Sequence, residues 1–239
     1  MIQADLSFID DFYSRPLGQR TRHLLGEVVN NLLDNTAGQN ILCCGYGFPY
    51  LEPLAGKSRS GLAFMPAAMG VRRWPAGAPN SAALVELARL PLPDSSFDAV
   101  LVIHGLEFSP DPGEFLSEIW RVLVPSGKAI IVVPNRRGAW SHSDHTPFGY
   151  GQPFTRRQLA RIMGDSGFRL RSSRSALYSP PFVGRQTQRL FGPAEAMGRR
   201  LWPKFAGVLV QEGEKQLLSG EAIAKPAAPL AAVRPAPTA

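Results

Sequence analysis

The sequence predicts an α/β fold, a doubly wound and mostly parallel sheet with helices on both of its faces. Short, continuously apolar runs alternate with amphipathic helical segments between about residues 20 and 170. Strands buried on both faces produce such runs, and their alternation with helices implies parallel pairing. Hydrophobic residues make up 44% and charged residues 19% of the 239 residues, as in globular domains.

The first half of the chain is predicted to hold one long helix and three buried strands. Apolar residues recur at i, i+3 and i+4 spacing over residues 8–33, which predicts a single amphipathic helix. Three short apolar runs follow, and glycines or proline end the first two. We therefore expect strands at residues 41–44, 61–65 and 82–87.

The second half continues the alternation. Residues 97–104 form the clearest predicted strand, and residues 113–123 an amphipathic helix that Pro125-Ser126-Gly127 should end before a strand at 128–133. Thr155 is a predicted N-cap for a helix at 154–167. Beyond residue 170 the pattern weakens, and we expect a helix within 186–202 and a late strand at 206–211.

Charge is distributed unevenly along the chain. The formal net charge is +7, and residues 156–215 carry twelve Lys and Arg residues against four Asp and Glu residues. Such a basic third fits an anionic substrate, nucleic acid or an anionic membrane surface, or simply a solvated surface. Residues 216–239 are rich in Ala and Pro, which predicts a disordered tail after a domain at 1–215.

The composition argues against a secreted or membrane protein. No apolar run approaches the roughly 18 residues of a transmembrane helix, and the N-terminus lacks the pattern of a signal peptide. Cys43 and Cys44 are adjacent, which suits neither a disulfide staple nor a zinc site. We therefore expect buried, reduced thiols in a cytoplasmic protein without a metal site.

A group of motifs in the middle of the chain resembles a known family. The segment LPLPDSSFDAV at 90–100 precedes HGLE at 104–107, DP at 111–112, EIWRVL at 118–123 and PSG at 125–127. In this order, and in a strand–loop–helix–strand context, they resemble the type 11, ubiquinone-biosynthesis-like branch of class I methyltransferases. The resemblance implies a Rossmann-like fold, S-adenosylmethionine (SAM) as cofactor and methyl transfer to an unidentified small-molecule or macromolecular acceptor.

The resemblance also implies where SAM binds. It places cofactor contacts at the first loop, at the end of the second strand, near the adenine and below the sulfonium. The corresponding residues are Gly45, Tyr46 and Gly47; Met65; Glu86 and Leu87; and His104 and Leu106.

Two positions depart from the family pattern. Cys43 ends the first strand where the family has an acid, and Met65 stands where an acid holds the ribose hydroxyls. The sequence shows no acid–base pair, so His104, His142 and His145 are the candidate proton acceptors. His142 to His145 also read as a partial metal cluster that lacks a third ligand.

The missing acids keep a second hypothesis open. It is a catalytically silent relative that acts as a binding or regulatory module through its basic C-terminal third. A nicotinamide-dependent reductase would share the fold, but the chain has neither a third loop glycine nor a Tyr-x-x-x-Lys pair. Residues 135–153 and a predicted insertion at 178–205 are rich in aromatic residues and arginines, and we expect them on the acceptor side.

Overall fold

A computed structural model describes residues 5–34, 36–54, 57–181 and 191–216. Within these ranges the strands form one seven-stranded sheet in the order β3-β2-β1-β4-β5-β7-β6. The strands are β1 (Asn40–Gly45), β2 (Ser60–Pro66), β3 (Ala82–Val85), β4 (Phe97–Ile103), β5 (Leu123–Pro134), β6 (Phe168–Ala176) and β7 (Val208–Lys215).

The pairing confirms the doubly wound prediction. Strands β1 to β5 pair in parallel with one another, whereas β7 is antiparallel to both β5 and β6. The late strand predicted at 206–211 is therefore the antiparallel strand near one edge. The carboxyl ends of the parallel strands lie together at one edge of the sheet, where ligands bind in folds of this kind.

Helices cover both faces of the sheet. They are α1 (Leu6–Ser14), α2 (Pro16–Leu33), α3 (Phe48–Leu51), α4 (Pro112–Val122), α5 (Arg156–Asp165) and α6 (Phe191–Leu201). Thr155 caps α5 as predicted, and Gln158 completes a capping box. Of the helix expected within 186–202, the described part is α6; residues 182–190 and 217–239, most of the predicted tail, lie outside the described residues.

The prediction of one helix over residues 8–33 was wrong. The chain breaks at Arg15, which has an extended conformation with ψ of 158°, and α2 begins at Pro16. Proline disfavours a helical conformation in the residue before it and cannot donate a backbone hydrogen bond. The break lets α1 fold back across the sheet edge, and Gly18 permits this crossing because a Cβ there would strike the backbone of Phe12.

Two further expectations needed correction. Pro125-Ser126-Gly127 does not separate helix from strand, because α4 ends at Val122 and β5 begins at Leu123. The extra residues bulge out between the pairs Phe97–Leu123 and Ala99–Lys128. Strand β6 was missed because most of its side chains are Arg or Ser and exposed, so it carries no run of buried apolar residues.

The core consists of two apolar layers, one on each face of the sheet. Alternate residues of each central strand contribute to opposite layers: Ile41 and Cys43 face α1 and α2, whereas Leu42 and Cys44 pack with the residues of α4 and α5. Burial on both faces explains why the strands are continuously apolar. In the described part of the chain, no helix combines the length and hydrophobicity needed to cross a bilayer.

Candidate functional site

The carboxyl ends of β2, β3 and β4 enclose a cavity of about 730 Å³, which we call the strand-end cavity. Four carboxylates line it, and its lining residues include no Lys or Arg. Apolar residues such as Val85 and Leu87 form the rest of its wall. The volume and mixed lining are those of a small-molecule site. The lining carboxylates are Glu86, Glu107, Asp111 and Glu114.

This cavity fits a nucleoside that bears a positive charge. Glu86 is exposed just after β3 and lines the cavity, and Leu87 beside it is buried. A cavity whose charged lining is entirely acidic attracts cations such as a sulfonium or an ammonium group. The residues present therefore suit SAM, although the acid after β2 is replaced by the buried Met65.

The glycine loop lies beneath α1 and outside the lining of the strand-end cavity. Gly45 has a φ of +90°, and a Cβ there would collide with the carbonyl groups of Ile103 and His104. At Gly47, a Cβ would overlap the Sγ atom of Cys43. Tyr46 is buried, and its hydroxyl donates a hydrogen bond to Asp10. The loop therefore packs tightly against β1, which precedes it, and against the end of β4, the neighbouring strand in the sheet.

His104 lies at the centre of a buried aromatic cluster. It has left-handed backbone conformation with a φ of 50°, and its side chain is inaccessible to solvent. Its Nε2 atom lies 3.0 Å from the hydroxyl oxygen of Tyr13, which lies 3.1 Å from that of Tyr50. The ring of Phe148 has its centroid 4.6 Å from that of His104. Burial raises the pKa of Tyr13 and of Tyr50, so both phenols stay protonated at neutral pH.

The other nitrogen of His104 faces Glu107. Nδ1 lies 3.3 Å from Oε1 of Glu107, and the carboxylate's Oε2 accepts a hydrogen bond from the backbone N–H of Gly105 at 3.1 Å. Both Nδ1 and Oε1 are buried without a hydrogen-bond partner among the described residues. Sequence analysis missed Glu107, although an acid three residues after a strand-end histidine was a usable signal.

A second cavity, of about 920 Å³, lies beyond the ends of β5 and β6; we call it the aromatic cavity. Trp140 forms part of its wall, and its indole N–H donates to the carbonyl of Ser179 at 2.7 Å. Trp202 and Phe205 are half exposed at its rim, at 50% and 58% of their surface. The structure thus brings together parts of the two segments expected on the acceptor side.

The structure separates the three candidate histidines. His142 and His145 line the aromatic cavity and are exposed, whereas His104 is buried. Nδ1 of His142 lies 3.1 Å from the carbonyl of Gly138. Across the ranges that the structure describes, no three His, Cys, Asp or Glu side chains lie close enough to hold a metal ion.

A row of packed side chains connects the two cavities. Glu107, in the wall of the strand-end cavity, adjoins His104; His104 packs on Phe148; and Phe148 meets Trp140 at 5.7 Å between centroids. Trp140 belongs to the wall of the aromatic cavity. His104 is therefore a middle member of the chain of contacts that joins the walls of the two cavities.

Comparison with known families gives this arrangement a context. Residues 44–131 match the family model of a methyltransferase domain. Over this segment the chain is similar to that family. The matched segment runs from β1 into β5 and includes the motifs at 90–127 that predicted the family.

Two relatives have related names. A demethylmenaquinone methyltransferase from Deinococcus radiodurans is 28% identical, with 45% of this chain and 56% of that protein aligned. A probable SAM-dependent methyltransferase from Mycolicibacterium smegmatis is 41% identical over 30% of this chain and 27% of its own length. The chain thus spans about half or less of the length of these curated relatives.

Solved structures share the fold at low sequence identity. A chain from the complex of the Haloferax volcanii Trm112 methyltransferase activator with a methyltransferase has a TM-score of 0.66 and 19% identity, covering 91% of this chain and 100% of its own. A SAM-dependent methyltransferase from Mesorhizobium loti has a TM-score of 0.59 and 16% identity, covering 79% and 96%. The [4+2]-cyclase SpnF, with a TM-score of 0.57 and 18% identity over 84% and 83%, shows that a protein named for other chemistry has this fold.

Proposed function

We propose that this protein is a SAM-dependent methyltransferase with an unidentified acceptor, and that residues 1–215 form its working domain. One observation carries the proposal. Every residue that lines the strand-end cavity except Gln152 lies within the segment matched by the methyltransferase family model. The part of the chain that resembles the family is thus the part that builds the cavity.

The acids that the family places after β1 and β2 have substitutes in this cavity. We propose that Glu86 holds the ribose hydroxyls and that Val85 and Leu87 cover the adenine ring, while Glu107 and Asp111 favour the cation. When bound, SAM supplies an electrophilic methyl group, and the electron pair of the broken S–C bond stays on sulfur. The protein's task is to bind, to orient and to exclude water.

The aromatic cavity is the proposed acceptor site. Arg137, His142 and His145 supply positive or titratable groups, and Trp202 and Phe205 supply exposed aromatic surface. This combination suits a planar or anionic acceptor, or an unstacked nucleic-acid base. The basic segment at 156–215 keeps nucleic acid or an anionic membrane among the proposed partners. We infer a reducing, cytoplasmic location from the two buried free thiols.

Calorimetric titration with S-adenosylhomocysteine tests the cofactor assignment, with NADH as the control ligand. We expect micromolar binding of the first ligand alone. Glu86→Ala removes a charged acceptor of hydrogen bonds and should weaken binding about 10-fold to 100-fold. Glu27→Ala is the matched control, because Glu27 lies on α2 in an exposed pair with His23. Gly45→Val is not a useful probe, since its side chain would collide with β4.

The alternatives give different results in the same titration. A folded protein that binds neither ligand would favour the catalytically silent relative, for which the replaced acids at Cys43 and Met65 are the specific observation. Binding of NADH in place of S-adenosylhomocysteine would favour a reductase. Equal binding by wild type and Glu86→Ala would remove Glu86 from the site.

A further inference from the structure

We propose that Glu107 and His104 form the proton-accepting pair of the site, and that the methyl acceptor is a hydroxyl compound that takes the place of the Tyr13 phenol. This inference rests on the proposed methyltransferase function. It adds a positioning residue, Glu107, a catalytic residue, His104, and a chemical class of acceptor. Its geometry concerns only side chains of this chain.

We infer one direction of hydrogen-bond donation from the groups around His104. Glu107 accepts from the N–H of Gly105 through Oε2, and an ionised carboxylate can only accept. We therefore assign the proton to the Nδ1 atom, which faces Oε1 at 3.3 Å. In a neutral imidazole Nε2 is then unprotonated, and it accepts a hydrogen bond from the hydroxyl group of Tyr13 at 3.0 Å.

The contact between Nδ1 and Oε1 is close but poorly aligned. Neither atom has a hydrogen-bond partner among the described residues, and both are shielded from water. The two unsatisfied atoms lie 3.3 Å from each other. Catalytic hydrogen bonds are often long or misaligned without substrate and tighten when it binds. We infer that this pair closes when the site is filled.

The remaining surroundings of His104 are aromatic and neutral. Tyr13 stacks on Tyr46 with a centroid distance of 5.4 Å, and Phe148 covers the imidazole from another side. The planar phenol of Tyr13 already occupies this aromatic environment, beside the chain of contacts that joins the walls of the two cavities. An acceptor of the same shape would reach Nε2 from the aromatic cavity once α1 had withdrawn the side chain of Tyr13.

The proton balance of the transfer follows from this arrangement. As the acceptor oxygen forms its new bond to the methyl carbon, its O–H bond breaks and the proton passes to Nε2. The imidazolium that results lies beside the carboxylate of Glu107, which stabilises its charge. The carboxylate of Glu107 acts by fixing the tautomer and the orientation of the ring.

The tautomer of His104 can be measured by ¹⁵N NMR without cofactor or acceptor. The chain has four histidines, and exposed His23 in its pair with Glu27 serves as an internal reference. We expect Nδ1 of His104 to be protonated in the wild type. Glu107→Gln places an amide donor against Nδ1 and should move the proton to Nε2, leaving His23 unchanged. Protonated Nε2 in the wild type, or an unchanged tautomer in Glu107→Gln, would overturn the proposal.

A second experiment probes the acceptor class. Tyr13→Ala opens a phenol-shaped space beside Nε2, and p-cresol should bind there and shift the ¹⁵N signal of Nε2. Phe12→Ala, at a neighbouring buried ring, should leave that signal unchanged by p-cresol. Tyr13→Phe is the second variant to use if Tyr13→Ala does not fold. It should shift the ¹⁵N signal of Nε2 because it removes only the hydroxyl group. Binding of p-cresol without a response at Nε2, or no change in Tyr13→Phe, would reject the assignment, whereas the S-adenosylhomocysteine titration tests the cofactor site separately.

Discussion

Nδ1 of His104 and Oε1 of Glu107 lie 3.3 Å apart in the interior of the protein, where no other described residue offers either atom a hydrogen bond. The left-handed backbone of His104 accompanies this contact, because the chain turns directly from β4 into the short 3-10 helix Leu106–Phe108. A non-glycine residue at positive φ costs free energy that the surroundings must offset. Such a residue at a strand end next to a cavity is a sign of a functional position.

The backbone of residue 104 gives a first prediction. Asn tolerates the left-handed region, whereas a β-branched side chain does not. Both His104→Asn and His104→Val remove the bond from Tyr13, but His104→Val should be less stable than His104→Asn by about 1–2 kcal/mol. Urea denaturation measures the difference. Equal stability of the two variants would mean that the φ of 50° imposes no constraint.

The contact between Gly47 and Cys43 gives a second prediction. A methyl group at Gly47 would overlap Sγ of Cys43, and both residues are buried. Gly47→Ala should therefore lower the free energy of unfolding by about 1–3 kcal/mol. Cys43→Ala removes the sulfur, so the double variant should lose less free energy of unfolding than the two single variants lose together. Strict additivity in this double-mutant cycle would contradict the contact.

Thiol chemistry gives a third prediction. Burial raises the pKa of the Cys43 and Cys44 thiols well above the ordinary value, and the thiolate is the reactive form. Native protein should therefore react with Ellman's reagent only as fast as it unfolds. Two equivalents should react promptly in denaturant. Rapid labelling of the native protein at neutral pH would show that β1 is accessible.

The central sheet was predictable because its signal is local. Residues 99–103 and 129–133 are continuously apolar since both faces of these strands are covered, and the turns that follow are read from Gly and Pro. Strand β6 gave no such signal, because Arg and Ser make up most of it at the open edge of the sheet. The break at Arg15 was readable from Pro16, yet the apolar periodicity continued across it and concealed it.

The candidate site was only partly predictable. Glu86 and Leu87, which the resemblance placed near the adenine, both line the strand-end cavity, and their role in cofactor binding stays a prediction. The role of Glu107 depends on the 3-10 helix that turns its side chain towards His104, and Tyr13 reaches His104 across 91 residues of sequence. Contacts of this range depend on how α1 folds over the sheet, which local patterns do not specify.

The side chain of Arg121 gives the last prediction, which concerns pH. Its guanidinium donates to Glu118 at 2.8 Å, to Asp94 at 2.6 Å and to the carbonyls of Leu90 and Leu92. The hydrogen bond from Arg121 is the largest of the effects that hold the pKa of Glu118 below its ordinary value. A carboxylate with a lowered pKa stabilises the fold fully above its unfolded pKa of about 4.3 and loses this contribution as the pH falls through the folded value.

Arg121→Ala should therefore lower the free energy of unfolding by about 1–3 kcal/mol at pH 7. The difference in this free energy between the variant and wild type should narrow below about pH 4.3, because Glu118 then takes up its proton. Arg121→Lys keeps the charge but loses the planar fork, so its stability should lie between the two. Thermal unfolding between pH 7 and pH 3.5 measures all three proteins. Arg15→Ala is the control, because its pair with Asp11 is exposed on both sides and should contribute little. A gap between Arg121→Ala and wild type that stays constant over this range would show that the network acts through packing rather than through the charge of Glu118.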